Sequence, residues 1–229
     1  MFNLSRYFST VSFILIVLAA GVLGPLYRLL SVQQMTELAE NRNIAMAQVF
    51  ENALRDRLSD WLTISAGRDV NYLNTAPEAV SLREDLIALM RNTAVVQVKV
   101  YNRLGIAVFS SDPGQSGEAN LSNAGFRSAM GHHVASALTH HNQIRTFENT
   151  LSDIDILTSH VPITGRDKSV EGVFELHQNV TPFMEQLKKS LWLVTLGVFA
   201  VFGCLYTLQF LVVRRAQRIL REQEGRIKM

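Results

Sequence analysis

"VKVYNRLGIAVFSSDPGQSGE", Val98 to Glu118, decides how this chain is read. Val98, Val100, Ile106 and Val108 alternate with polar or small residues, and Asn102-Arg103-Leu104-Gly105 between them has turn composition. The pattern predicts two short strands joined by a turn, followed by the polar loop "DPGQSGE". Such a hairpin belongs to a water-soluble domain. Yet it lies between two segments without a single charge, Val11–Tyr27 and Leu191–Val213.

A helix needs about 20 mostly apolar residues to span the hydrocarbon core of a bilayer. "LWLVTLGVFAVFGCLYTLQFLVV" meets that length, and "VSFILIVLAAGVLGPLY" reaches it with Leu29 and Leu30 while Arg28 snorkels to the interface. The first run has a weak basic n-region, Arg6 alone, and no clean small-x-small cleavage site, so it reads as an uncleaved anchor rather than a signal peptide. Spans are expected over 11–30 and 190–213.

Six basic residues follow the second span (Arg214, Arg215, Arg218, Arg221, Arg226 and Lys228), against Glu222 and Glu224. Concentrated positive charge stays in the cytoplasm. Two spans then place both termini there, with 1–10 a short cytoplasmic leader, 214–229 a basic helical linker and 31–189 extracytoplasmic. The charges of 31–189 agree: fourteen Lys and Arg against eighteen Asp and Glu. The basic tail thus reads as an orientation signal and not as a nucleic-acid arm. The single cysteine, Cys204, falls inside the second span, so the exported domain forms no disulfide and rests on its core alone.

Within that domain, 31–68 is expected as one long helix leaving the first span. Met46, Phe50, Leu54, Leu58, Trp61 and Leu62 recur at helical spacing, and no proline occurs between Leu26 and Ala76. Its apolar surface suffices for the domain's own sheet and for a second copy, which predicts a homodimer. Over 69–180 the order is mixed α/β: a helix starting near Pro77, strands at Ala94–Tyr101 and Ile106–Ser110, a short helix ending at Gly131, then strands at Gln143–Glu148, Ile154–Ile163 and Val170–His177. Short turns between strands imply an antiparallel sheet with helices packed on it, an α+β domain. Val173 and Leu176 lie on the last strand, Thr181 reads as a helix N-cap and Pro182 as the first helical residue. The sheet then feeds the second span with no flexible linker, and these four residues are the expected signal-coupling positions.

This layout, with "VVQVKVYNRLGIAVFSSDPGQSGE" and "SVEGVFELHQNVTPFMEQL", resembles the input region of membrane-bound bacterial sensor histidine kinases and diguanylate cyclases. In that family a PAS-like domain, called PDC or single Cache, sits between two spans of the inner membrane and faces the periplasm. The resemblance implies a PAS-like sheet, a small-molecule ligand and a cytoplasmic kinase or cyclase as output. "RRAQRILREQEGRIKM" stands where such an output would begin, so the chain reads as a receptor input without its catalytic module; no G-x-G-x-x-G, P-loop or GGDEF-like run occurs.

A PAS-like sheet implies a concave pocket between its strands and the 111–142 region. Tyr101, Ser110, Arg127, Arg145 and Thr158 are the expected ligand-binding residues, either arginine clamping a carboxylate through two parallel hydrogen bonds. The six histidines read as polar surface residues of loops, and Asp153 with Asp155 could share a face with one of them toward a divalent ion. Neither reading amounts to a metal site, and no catalytic residue or cofactor is expected. No G-x-S-x-G elbow supports a hydrolase. The reading is a membrane receptor input module that is not itself an enzyme; the alternative is a bitopic scaffold that binds another membrane protein without a small ligand.

Overall fold

The computed structural model describes residues 4–146 and 149–227. It divides into two compact units, one of 34–184 and one formed by the two ends, 1–33 with 185–229. The elements in chain order are helices α1 (Leu4–Ile64), α2 (Val70–Thr75) and α3 (Pro77–Met90), strands β1 (Val95–Asn102) and β2 (Ala107–Ser110), helix α4 (Ala124–Met130), strands β3 (Ala135–Arg145), β4 (Thr150–Thr164) and β5 (Val170–Asn179), and helix α5 (Thr181–Ile227). The fold is α+β.

The unit formed by the ends is helical. Two stretches, within Thr10–Ile64 and Thr181–Val212, are long and apolar enough to cross a membrane, each with a window of mean hydropathy 2.1 that is 0% buried. Side chains such as Phe13, Leu18, Trp192 and Leu193 are exposed there, which suits a hydrocarbon solvent and not water. The first stretch passes through Pro25 without a break.

The 34–184 unit is a five-stranded antiparallel sheet in the order β2-β1-β5-β4-β3. One face carries the core. Phe50, Leu54, Leu58 and Trp61 of α1, at helical spacing, meet Val98, Val100, Phe174 and Leu176 of the central strands, and α3 closes the cluster with Leu82, Leu86 and Met90. Phe50 and Phe174 rings lie 6.3 Å apart. Trp61 stacks on Tyr72 at 6.1 Å and donates its indole N–H to the Val108 carbonyl at 2.9 Å, so its one polar atom is satisfied inside the core.

Local chemistry sets the turns. The β1–β2 hairpin closes through Asn102, whose Oδ1 accepts from the Leu104 and Ile106 amides at 3.0 Å each, and through Gly105 at φ +68°, a conformation that penalises any side chain. α4 starts at Asn123, whose side chain accepts from the Gly125 and Phe126 amides, and stops at Gly131.

Two expectations are corrected. The third strand begins at Ala135, not Gln143, so residues expected to belong to a loop form the 11-residue edge strand β3. Its proposed end, Phe147 and Glu148, lies outside the described residues, as does Lys228 of the tail. The missed length is physical: "ASALTHH" lacks the alternation of a half-buried strand because both its faces are partly open. Secondly, α5 begins at Thr181 itself, so Thr181 is not its N-cap. Its amide donates to Asn179 Oδ1 at 3.0 Å, and its hydroxyl accepts from the Asp155 amide of β4 at 2.8 Å. The hydroxyl that would cap the helix is already spent on the neighbouring strand.

Candidate functional site

β5 is buried along both faces, and the two faces differ in chemistry. Phe174 and Leu176 join the α1 core, while Glu175 and His177 point the other way. The register places Glu175 opposite Lys99 of β1 and His160 of β4, and His177 opposite Gln97 and Thr158. The result is two polar rows across the middle of the sheet. α4 and the segment leading to it close over them, and a cavity of about 800 Å³ remains, lined by the polar rows, the start of α4 and the inner side of β3.

Glu175, 5% exposed, centres this floor. Its Oε1 lies 2.7 Å from His177 Nε2, and its Oε2 lies 3.0 Å from His160 Nε2 and 3.1 Å from the Asn120 amide nitrogen. An ionised carboxylate only accepts, so both rings present a protonated Nε2 to it. That leaves His177 Nδ1 facing the Thr158 hydroxyl at 3.3 Å. Desolvation pushes the Glu175 carboxyl up, but the hydrogen bonds from His160 and His177, with their charges, together hold it well below the usual carboxylate range. Burial, and then the neighbouring Glu175 carboxylate, pushes the Tyr101 phenol up, so it remains a neutral donor.

Lys99 is 8% exposed, and its ammonium lies 2.8 Å from Glu118 Oε2 and 3.9 Å from Glu175 Oε1. α4 approaches His160 closely: a Cβ on Gly125 would collide with the His160 ring, so only glycine lets the helix close here. Phe126, edge-on to Tyr101 at 5.9 Å, anchors α4 beside Val173.

Of the five ligand residues expected from sequence, Tyr101 and Thr158 line this cavity. Ser110 is buried on β2, its hydroxyl accepting from the Asp112 amide. Arg127 on α4 and Arg145 at the end of β3 are exposed. None of these three is among the cavity-lining residues. The histidines correct the sequence reading: His160 and His177 are buried strand residues, and His140 and His141 lie on β3. Sequence reasoning missed Lys99, His160, Glu175 and His177. Counting outward from the "TGRDKS" turn would not have found them, because Thr164 pairs with Val170 and only the register shift between Ile163 and Thr164 brings His160 to Glu175 and Thr158 to His177. His140 does sit between Asp155 Oδ1 (3.0 Å) and Asp153 Oδ1 (3.3 Å), but His140 and Asp153 are exposed, and among the described residues no group of three His, Cys, Asp or Glu is placed to hold a metal ion.

At the junction, Val173 packs with Phe126 and Tyr101 on the cavity side and Leu176 with the α1 core on the other. Val180 donates to the Asp155 carbonyl at 2.9 Å and the Thr181 hydroxyl accepts from the Asp155 amide, so the entry into α5 is tied to β4 by two hydrogen bonds. Pro182 follows inside that first turn, where its missing N–H costs no hydrogen bond.

No family model matches the chain, and no curated protein is similar to it. Solved structures do resemble it. The Escherichia coli DcuS sensor domain is 13% identical over 61% of this chain and 98% of its own, with a TM-score of 0.37. The sensor domain of the Vibrio cholerae histidine kinase DctB is 10% identical over 64% and 58%, at 0.34. The periplasmic sensory domain of the Campylobacter jejuni chemoreceptor Tlp1 is 9% identical over 66% and 57%, at 0.33. This chain thus spans under two thirds of the second and third.

Proposed function

We propose that this chain is the input module of a bacterial inner-membrane signal receptor. Residues 31–189 face the periplasm and take a small polar ligand in the cavity above β1, β5 and β4. The second span carries the response to a cytoplasmic kinase or cyclase, and a second copy completes a homodimer along α1. One observation carries the reading: Glu175 and His177 on the cavity floor belong to the same strand that runs, through Val180, into α5. A ligand acts by preferring one arrangement of strand and helix to another, a tenfold preference being about 1.4 kcal/mol. Val173, Leu176, Thr181 and Pro182 are the positions through which that preference passes. The basic residues after Val213 support cytoplasmic termini.

The test uses the full chain in lipid nanodiscs, with amino acids, organic acids, phosphates and polyamines added one at a time. At least one compound should raise the unfolding temperature, and Ala137→Trp, which fills the cavity from β3, should abolish the effect. No stabilisation by any compound would favour the scaffold alternative. Transmission is tested by fusing a histidine-kinase module after Met229 and inserting four glycines between Asn179 and Val180. The domain should fold and bind as before while kinase control is lost; retained control would remove the direct strand-to-span route.

A further inference from the structure

We propose that Glu118 is a built-in stand-in for the ligand: its carboxylate occupies, on Lys99, the subsite that an oxyanion group of the ligand takes when bound. The inference rests on the cavity being a ligand site and names the chemistry that site reads.

Donor and acceptor accounting on the floor points to it. Glu175 spends its oxygens on the floor's own donors, His160, His177 and Asn120, and offers little to a visitor. Lys99 differs. Its ammonium carries three N–H donors, yet among the described residues its one close partner is Glu118 Oε2 at 2.8 Å, and Glu175 at 3.9 Å is beyond hydrogen-bond distance. Lys99 therefore keeps cationic N–H donors unspent on the buried floor, and these call for an anionic acceptor. A desolvated ammonium cannot stand without one.

Glu118 is suited to yield its place. Lys99's side chain is 10% exposed and Glu118's 50%, so the pair has a fixed member and a free one. The backbone beneath Glu118 is held independently of its side chain. The Ala107 amide donates to the Glu118 carbonyl at 2.8 Å, Gly117 donates to the Ala107 carbonyl at 2.7 Å, and Asn120 donates to the Gly105 carbonyl at 2.7 Å. The carboxylate can swing to solvent by side-chain rotation alone, with the wall of the cavity intact. Exchange of one carboxylate for another oxyanion leaves the charge beside Glu175 almost unchanged, so the swap needs no proton uptake. A tethered group competes at millimolar effective concentration. Glu118 thereby weakens the apparent affinity for the ligand, which must outcompete it for Lys99.

The experiment measures dissociation constants of acetate and, separately, of inorganic phosphate for the full chain in nanodiscs at constant ionic strength. Glu118→Gln removes the competitor and should tighten one of the two by about tenfold or more; which of them responds tells a carboxylate from a phosphate subsite. Asp85→Asn, an equal charge change on α3 away from the cavity, should leave both constants unaltered. Glu118→Gln with Lys99→Met should lose the gain, with far-ultraviolet circular dichroism confirming the fold. Equal gains in Glu118→Gln and Asp85→Asn would mean a general charge effect and overturn the proposal, as would no gain in Glu118→Gln. Those outcomes are separate from the Ala137→Trp result: stabilisation by a compound that Ala137→Trp abolishes keeps the cavity as a ligand site even if Glu118 proves inert.

Discussion

The two faces of one sheet divide the work of this domain. On the α1 side, Val98, Val100, Phe174 and Leu176 meet Phe50, Leu58 and Trp61, and apolar burial against close-packed partners holds the fold. On the α4 side, the residues that alternate with them in sequence, Gln97, Lys99, Glu175 and His177, are also buried but polar. The period of two along a strand lets one segment serve both faces. A polar face this buried costs stability unless each group finds a partner. Here the partners are mostly each other, and the space above them is kept open.

The contrast predicts a steep ranking of substitutions. Trp61→Ala removes the largest fully buried side chain and its bond to Val108, and should destabilise the 34–184 unit by about 3–5 kcal/mol in denaturant melts. A loss under 1 kcal/mol would mean the α1 face is not the principal core.

Glu175→Gln on the opposite face should cost about 1–3 kcal/mol, since donors from His160, His177 and Asn120 lose a charged acceptor that an amide replaces only in part. Its pH signature is sharper than its size. Because the folded carboxyl holds its proton less tightly than the unfolded one, the folded state binds fewer protons through the carboxylate range. The contribution of Glu175 is therefore present above that range and is lost as the pH falls through and below it. Unfolding midpoints from pH 7 to pH 3 should fall less steeply in Glu175→Gln than in the parent; parallel curves would show that the network does not hold the carboxyl down.

The smallest effect belongs to neither face. Arg166 and Asp56 pair at 3.2 Å with both side chains over 80% exposed, and Arg166→Ala should change stability by less than about 0.5 kcal/mol. A larger loss would give the solvent-exposed end of the sheet a share in stability that the contrast assigns to its faces.

The division was half legible in the sequence. Spacing alone reveals the α1 stripe, because Phe50, Leu54, Leu58 and Trp61 repeat with the helix period and their partners alternate with the strand period. The hairpin at Val98 and the entry into α5 were readable because turn and helix-start residues act locally. The polar floor was not read. Lys99, His160, Glu175 and His177 are scattered over three strands, and each by itself looks like a solvated residue facing outward. Only register brings them together, and register depends on a sheet order, β1-β5-β4, that places the last strand in the middle. Arg127 and Arg145 drew notice as carboxylate clamps for the complementary reason: charge type is visible in sequence, and the direction a side chain faces is not.

The two hydrogen bonds of Asp155 make that residue a strain gauge. Its carbonyl receives the Val180 amide and its own amide is held by the Thr181 hydroxyl, so both backbone groups of one residue grip the start of α5. A displacement of the start of α5 relative to β4 lengthens or bends this pair. The Asp155 amide proton therefore reports, as a chemical shift and an exchange rate, on the hold between β4 and the start of α5.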